Sequence, residues 1–186
     1  IEHLRQLTEN LGVAFDFDFV GVCAQDHGMP PEGVSHLDYR HNIFKEKLDQ
    51  APYAHALLYE ASEVPDTFNR LRSIAASAAS IPAHRLYIMD SGMAAISGAP
   101  MDIRTRPLGN LLVLDIATSH TVGAALSDGE IAGFFEYHTS DITMEKLDAL
   151  MVELAEGTLD HKRILREGGH GAYVRKPLGL SSIEMI

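Results

Sequence analysis

The stretch that most limits how this chain can fold is residues 111–138, LLVLDIATSHTVGAALSDGEIAGFFEYH. It holds three apolar runs, LLVLDI, TVGAAL and EIAGFFEY, separated only by ATSH and by Ser127-Asp128-Gly129. Each run is too short for a helix, and small polar residues bound it, so each reads as a strand. Asp-Gly between two apolar runs is a strong hairpin signal. Three strands joined edge to edge need cover for their apolar side chains. The next segment supplies it: Met144, Leu147, Leu150, Met151 and Leu154 recur at helical spacing. Thr143 or Asp141 is the expected N-cap and Gly157 the stop.

The upstream half alternates element types. Leu4, Leu7 and Leu11 predict a helix over residues 1–10, and Val13 to Phe19, followed by Val20 and Val22, predicts one or two strands. GMPPEGVS is a loop by its glycine and proline content. Asp38 is the expected cap of a helix through Leu48 that buries Ile43, Phe44 and Leu48. Pro65-Asp66 opens another helix, lined by Phe68, Leu71, Ile74, Ala75 and Ala78 and stopped by Pro82. Leu86 to Met89 is a buried strand running into Asp90-Ser91-Gly92 and a helix of small residues. Strand, polar turn and helix in this order place the chain in the α/β class. Residues 100–110, with two prolines and a glycine, are the expected boundary between two lobes, residues 1–105 and residues 106–186.

Charge and cysteine content exclude several classes. The net charge of −11 repels nucleic-acid backbones and anionic membranes, so neither is an expected partner. No apolar run approaches the roughly 18–20 residues of a membrane span. The charged start IEHLRQLTEN is not a signal peptide, and an N-terminal Ile1 suggests an internal piece of a longer protein. Cys23 is the single cysteine, which rules out an internal disulfide and favours a reducing, cytoplasmic setting. One cysteine also cannot hold a [4Fe–4S] cluster, which needs three or four.

Four constellations could carry chemistry. In Asp115-Ile116-Ala117-Thr118-Ser119-His120-Thr121 a carboxylate ends an apolar strand and a hydroxyl-rich turn follows. Such a turn offers N–H and O–H donors to phosphate oxygens, and the carboxylate can hold hydrated Mg²⁺. An ordinary β-turn with locally satisfied side chains fits the spacing equally well. Gly168-Gly169-His170-Gly171 lets backbone approach a ligand such as a nucleotide, or is simply a loop or helix cap. Gln25-Asp26-His27-Gly28 and Asp38-Tyr39-Arg40 provide Asp26 and Asp38 as candidate general bases, against an ordinary reading of a capping Asp38 and a loop His27. Asp90-Ser91-Gly92 adds Asp90 as a second candidate metal ligand beside Asp115, or marks close packing of a small-residue helix. The ten histidines show no compact ligand spacing such as HExxH, which argues against a zinc site.

LLVLDIATSHTVGAALSDGEIAGFFEYHT is similar to the second phosphate motif of the superfamily that contains actin, the heat-shock ATPases and the sugar kinases. There an Asp-bearing strand, a small-residue turn and a hairpin cradle the β- and γ-phosphates of ATP. The glycines usual in that turn are here Ala117, Ser119 and His120. Gln25-Asp26-His27-Gly28 and Asp38-Tyr39-Arg40 are similar to the Q-x-H-G and D-x-R elements of carbohydrate kinases, whose D-x-R aspartate is the general base. Here the two lie closer together and lack the accompanying tryptophan.

The order QDHG, DSGMAAISGA, LDIATSHTVGAAL, FFEYHT and GGHGA over residues 13–175 resembles the DUF1786 family. That family is grouped with the actin-like ATPases and labelled as pyruvate formate-lyase activating enzymes, a label that the single Cys23 fits poorly. The resemblance implies ribonuclease-H-like or actin-like lobes, with mixed sheets, flanking helices and an incomplete two-lobed fold. It implies ATP and Mg²⁺ as cofactors, held by Asp115, Thr118, Ser119, His120, Thr121 and Gly168 to Gly171. It also implies a first phosphate hairpin before Ile1 and an adenosine-contacting segment after Ile186. The expected activity is nucleotide binding with phosphoryl transfer to an unknown small molecule or protein, in a chain compatible with a homo-oligomer. The alternative is a degenerate, non-catalytic actin-like scaffold.

Overall fold

Along the chain the order is α1 (Glu2–Asn10), β1 (Phe17–Cys23), α2 (His36–Gln50), β2 (Leu58–Glu60), α3 (Asn69–Ser77), β3 (Ala83–Met89) and α4 (Ser91–Gly98). Then come β4 (Asn110–Ile116), β5 (His120–Ser127), β6 (Glu130–His138), α5 (Met144–Glu156), α6 (His161–Arg166) and β7 (Gly171–Val174), with short 3₁₀ turns between. The computed structural model describes residues 1–186, the side chain of Ala79 excepted. Two compact units emerge, and neither is continuous in sequence. Ile1–Met29 joins Leu58–Ser91, and Pro30–Leu57 joins Gly92–Ile186. The expected boundary at 105/106 therefore falls inside the second unit. Composition marks that stretch as a loop, but a loop's composition does not say which surfaces it separates.

The first unit is built on a three-stranded mixed sheet in the order β1-β3-β2, with β1 parallel and β2 antiparallel to β3. Only one strand forms in the region of residues 13–22, because Val13 to Asp16 precede the ladder that begins at Phe17↔Ala83. α3 starts at Asn69, not at Pro65. Phe68 N–H bonds the Pro65 carbonyl in a turn, and the helix N-terminus is held at Arg70 and Leu71 by Asp26. Phe68 and Leu71 are each 1% exposed, and the Phe68 ring sits 6.1 Å from that of Tyr59. α1 forms as expected, yet Leu4, Leu7 and Leu11 are 61, 61 and 73% exposed.

The second unit centres on a four-stranded antiparallel sheet, β4-β5-β6-β7. The three strands read from residues 111–138 all form, and Asp128 (φ 52°) with Gly129 (φ 80°) closes β5 on β6. Two consecutive positive φ values match the right-handed twist of the flanking strands. Residues 131–137 of β6 are buried without interruption, which requires cover on both faces. Phe135 and Tyr137 point to one face, where Leu147, Leu150, Met151 and Leu154 of α5 pack on them. Each buried leucine there contributes on the order of 2 kcal/mol. Thr143 caps α5, its hydroxyl accepting from Lys146 N–H at 3.2 Å, and Gly157 ends it in the left-handed region.

Phe134 and Glu136 point to the other face, which α2 covers. Buried Arg40, Phe44 and Leu48 fall at i, i+4 and i+8 on α2, a single stripe. Arg40 meets Glu136, and Phe44 tilts against Phe134 at 6.5 Å. The cap of α2 is Ser35, which accepts from Asp38 N–H. Asp38 instead sits in the first turn, where its charge suits the helix dipole.

Candidate functional site

The turn between β4 and β5 spans Ala117-Thr118-Ser119 and is braced from behind. Ala117 N–H donates to the His120 carbonyl at 3.0 Å, and Thr139 N–H to the Ser119 carbonyl at 3.0 Å. The Thr139 hydroxyl donates to the Ala117 carbonyl at 2.7 Å and accepts from the Thr121 hydroxyl at 3.1 Å. Thr121, fully buried, is thus engaged in holding the turn shut. Thr118 and Ser119 are exposed. Neither their N–H groups nor their hydroxyls bond to an acceptor among the described residues. Asp115, half-buried at the end of β4, sits opposite Val122. The turn therefore pairs a rigid backbone with four available donors and one carboxylate.

The glycines of Gly168-Gly169-His170-Gly171 answer to packing. Gly168 N–H bonds the Leu165 carbonyl and Gly169 N–H the Ile164 carbonyl, the paired bonds that close the C-terminus of α6. A Cβ at Gly169 would lie 2.6 Å from Ile164 Cγ2 and 2.8 Å from the Tyr137 ring. Gly171 has φ of 109°, and a Cβ there would meet the His161 ring at 2.6 Å. His161 fills that space. Its Nδ1 accepts from Ala172 N–H at 3.1 Å, and its Nε2 faces Asp38 Oδ1 at 3.4 Å.

The two candidate bases differ in accessibility. Asp26, 3% exposed, accepts from Gly28, Arg70 and Leu71 N–H at 2.7–2.9 Å. It caps α3 from a distance in sequence. Asp26→Ala should therefore lower unfolding stability by about 2 kcal/mol, with Asp26→Asn costing less. Urea unfolding followed by circular dichroism checks this, and equal stability of both variants with wild type would contradict it. Asp38 is half-exposed, and among the described residues its carboxylate contacts His161 alone. Asp90, also 3% exposed, follows β3 in the first unit, and burial and then the Asp90 charge push the Tyr59 phenol up to about 12.

His41 stacks on His161 with ring centroids 3.8 Å apart. Burial, then His161, Lys45 and Arg40, lower its pKa to about 4 against the pull of Asp38. The folded state thus holds His41 neutral, and protons bind the unfolded chain more readily. The associated stability is complete above about 6.5 and is lost as pH falls towards 4. Since His41 is part-exposed, the loss between pH 7 and 4.5 should be of order 1 kcal/mol. His41→Gln should remove that part of the pH dependence in urea titrations, and an unchanged slope would contradict it.

Sequence reasoning did not single out the buried pair of this unit. Arg40 Nη1 lies 2.5 Å from Glu136 Oε2, and both side chains are almost fully buried. Burial disfavours the charged carboxyl, but Arg40 and His170 outweigh it and hold Glu136 well below the usual carboxylate range. One signal was visible: a glutamate inside the otherwise apolar run FFEY. His170 lies against it, and His120, His138 and His170 sit together with ring centroids 4.4–4.8 Å apart.

Fold and site together define a mixed α/β protein with two sheets, flanking helices and a braced, donor-rich β4–β5 turn. The chain belongs to the DUF1786 family, described as "Putative pyruvate format-lyase activating enzyme", whose match spans residues 1–186. No curated protein and no solved structure matches the chain. Among the described residues no helix is long and apolar enough to cross a membrane.

Proposed function

We propose that the Ala117–Ser119 turn binds the phosphate end of a magnesium nucleotide, in a chain related to the actin-like ATPases. The observation that carries this reading is the set of four donors on Thr118 and Ser119 without acceptors among the described residues, in the turn that follows the strand ending at Asp115 and Ile116. In a chain of net charge −11, phosphate needs backbone and hydroxyl donors in place of lysines. Asp115 supplies the hard oxygen that hydrated Mg²⁺ prefers, and magnesium when bound neutralises phosphate charge. For phosphoryl transfer to a small molecule or protein, Asp38 is the better base. It is accessible, whereas Asp26 already accepts three N–H groups. The lone Cys23 fits a cytoplasmic setting.

A second reading, a non-catalytic binding module, draws on the engagement of Asp26 in capping and of Gly169 and Gly171 in packing. Calorimetric titration of the full-length protein with Mg-ATP tests the first. Wild type should bind, and Asp115→Asn should weaken binding at least about tenfold, roughly 1.4 kcal/mol. Absence of binding at millimolar nucleotide, or equal binding by the variant, would sink it. Binding without turnover would select the module.

A further inference from the structure

Within the second unit, α2, α6 and the edge strand β7 meet at two imidazoles. His41 of α2 and His161 of α6 stack with centroids 3.8 Å apart and ring planes 22° from parallel. His41 Nδ1 also lies 3.7 Å from where a Cβ on Gly171 would stand. Both nitrogens of His161 are engaged. Its Nδ1 accepts the Ala172 N–H at 3.1 Å, so its own hydrogen resides on Nε2, which faces Asp38 Oδ1 at 3.4 Å. Strand alternation explains why Ala172 turns to a side chain. Arg175 N–H bonds the Ala132 carbonyl of β6, so the Ala172 N–H, three residues earlier, points away from the sheet.

We propose that this pair is an acid-released latch: His161 ties the start of β7 to α6, and a proton on His41 opens the tie. His161 has no lone pair to spare, because Ala172 uses Nδ1 and Nε2 carries the hydrogen. A proton that reaches the closed pair therefore settles on His41 or displaces the Ala172 N–H. On His41 the new charge faces Arg40 and Lys45 of its own helix and the His161 ring of α6, with Asp38 opposing. From β7 the neighbours are Gly171 and Ala172, which carry no charge. Burial, followed by His161, accordingly lowers His41 to about 4. The closed pair thus refuses a proton that a solvated His41 accepts near 6.5, and each proton bound shifts the population towards the open state as pH falls. Release frees the Gly168–Gly171 segment, whose last glycine is shaped around His161. The ladders joining β4, β5 and β6 do not pass through the pair and stay formed. The opening is local, which separates it from the effect of His41 on global stability, and it is independent of the phosphate turn.

Amide hydrogen exchange of the full-length protein, corrected for the intrinsic pH dependence of exchange, reads the latch at one atom. Protection of the Ala172 amide should fall about tenfold between pH 7 and 4.5. It should do so through an opening that dilute urea barely changes, whereas the β5 amides exchange through one that urea promotes. His41→Phe keeps a ring on His161 but cannot titrate, and should reduce the pH response to about threefold or less. His161→Phe should leave Ala172 unprotected at both pH values. His55→Gln, at an exposed histidine elsewhere, should behave as wild type. Circular dichroism verifies folding, and His41→Gln replaces His41→Phe if the larger ring is not accommodated. PH-independent protection of Ala172, a urea slope equal to that of β5, or an undiminished response without His41 would each overturn the proposal.

Discussion

Glu136→Leu is expected to lower unfolding stability by about 3–5 kcal/mol, while the double variant Arg40→Met, Glu136→Leu recovers most of the loss. The reason is an asymmetry of burial. Both side chains are almost fully buried, and their ionic contact is 2.5 Å long. Removing the carboxylate takes away the buried counter-charge of a guanidinium that stays buried on α2, stacked over the Phe44 ring at 4.5 Å. Removing both charges leaves two apolar side chains between α2 and β6, next to the Phe44–Phe134 contact. With a urea slope of about 2 kcal/mol per molar, the single variant should shift the midpoint by about 1.5–2.5 M. A domain is stable by only about 5–15 kcal/mol, so a large share of the margin is at stake. A shift below about 0.5 M would show that water screens the pair.

Gly171→Ala should cost about 2–6 kcal/mol, and the cost should depend on His161. Two effects combine. The φ of 109° is strained for any residue with a Cβ, at about 1–3 kcal/mol. The added methyl also meets the His161 ring at 2.6 Å, and overpacking costs about 1–3 kcal/mol more. In Gly171→Ala, His161→Ala only the first effect remains, so a double-mutant cycle should show a coupling of at least about 1 kcal/mol. If Gly171 were instead a close-approach point for nucleotide, the variant would lose nucleotide affinity with little loss of stability. That outcome would reverse the packing assignment.

Much of the local structure was legible because it depends on near neighbours in sequence. The apolar runs of 111–138 become β4, β5 and β6, the Asp128-Gly129 turn closes the second hairpin, and Thr143 and Gly157 bound α5. Each follows from a period, a turn residue or a cap within a few positions. Legibility failed where a distant residue decided. α3 begins four residues later than expected, because its N-terminus is held by Asp26, 44 residues upstream of Arg70. Asp38 looked like a cap, but Ser35 takes that role at the actual start of α2. Each compact unit is assembled from two separate stretches of chain, which the loop-like composition of residues 100–110 does not announce.

The candidate site divides along the same line. Sequence alone determined the β4–β5 turn, its hydroxyls and the carboxylate at its edge, since strand, turn and strand are contiguous. It also determined that one cysteine cannot hold an iron–sulfur cluster. Only the tertiary structure decided which of these groups remain available. It buried Thr121 in a hydroxyl relay, engaged Asp26 in a cap, and pressed Gly169 and Gly171 against Tyr137, Ile164 and His161. It also gathered His120, His138 and His170, with His170 against Glu136 and no spacing motif to announce them. Hydrogen-bond satisfaction and packing are properties of surfaces brought together. A side chain's chemistry can be read from its name, but its availability depends on what the fold sets beside it.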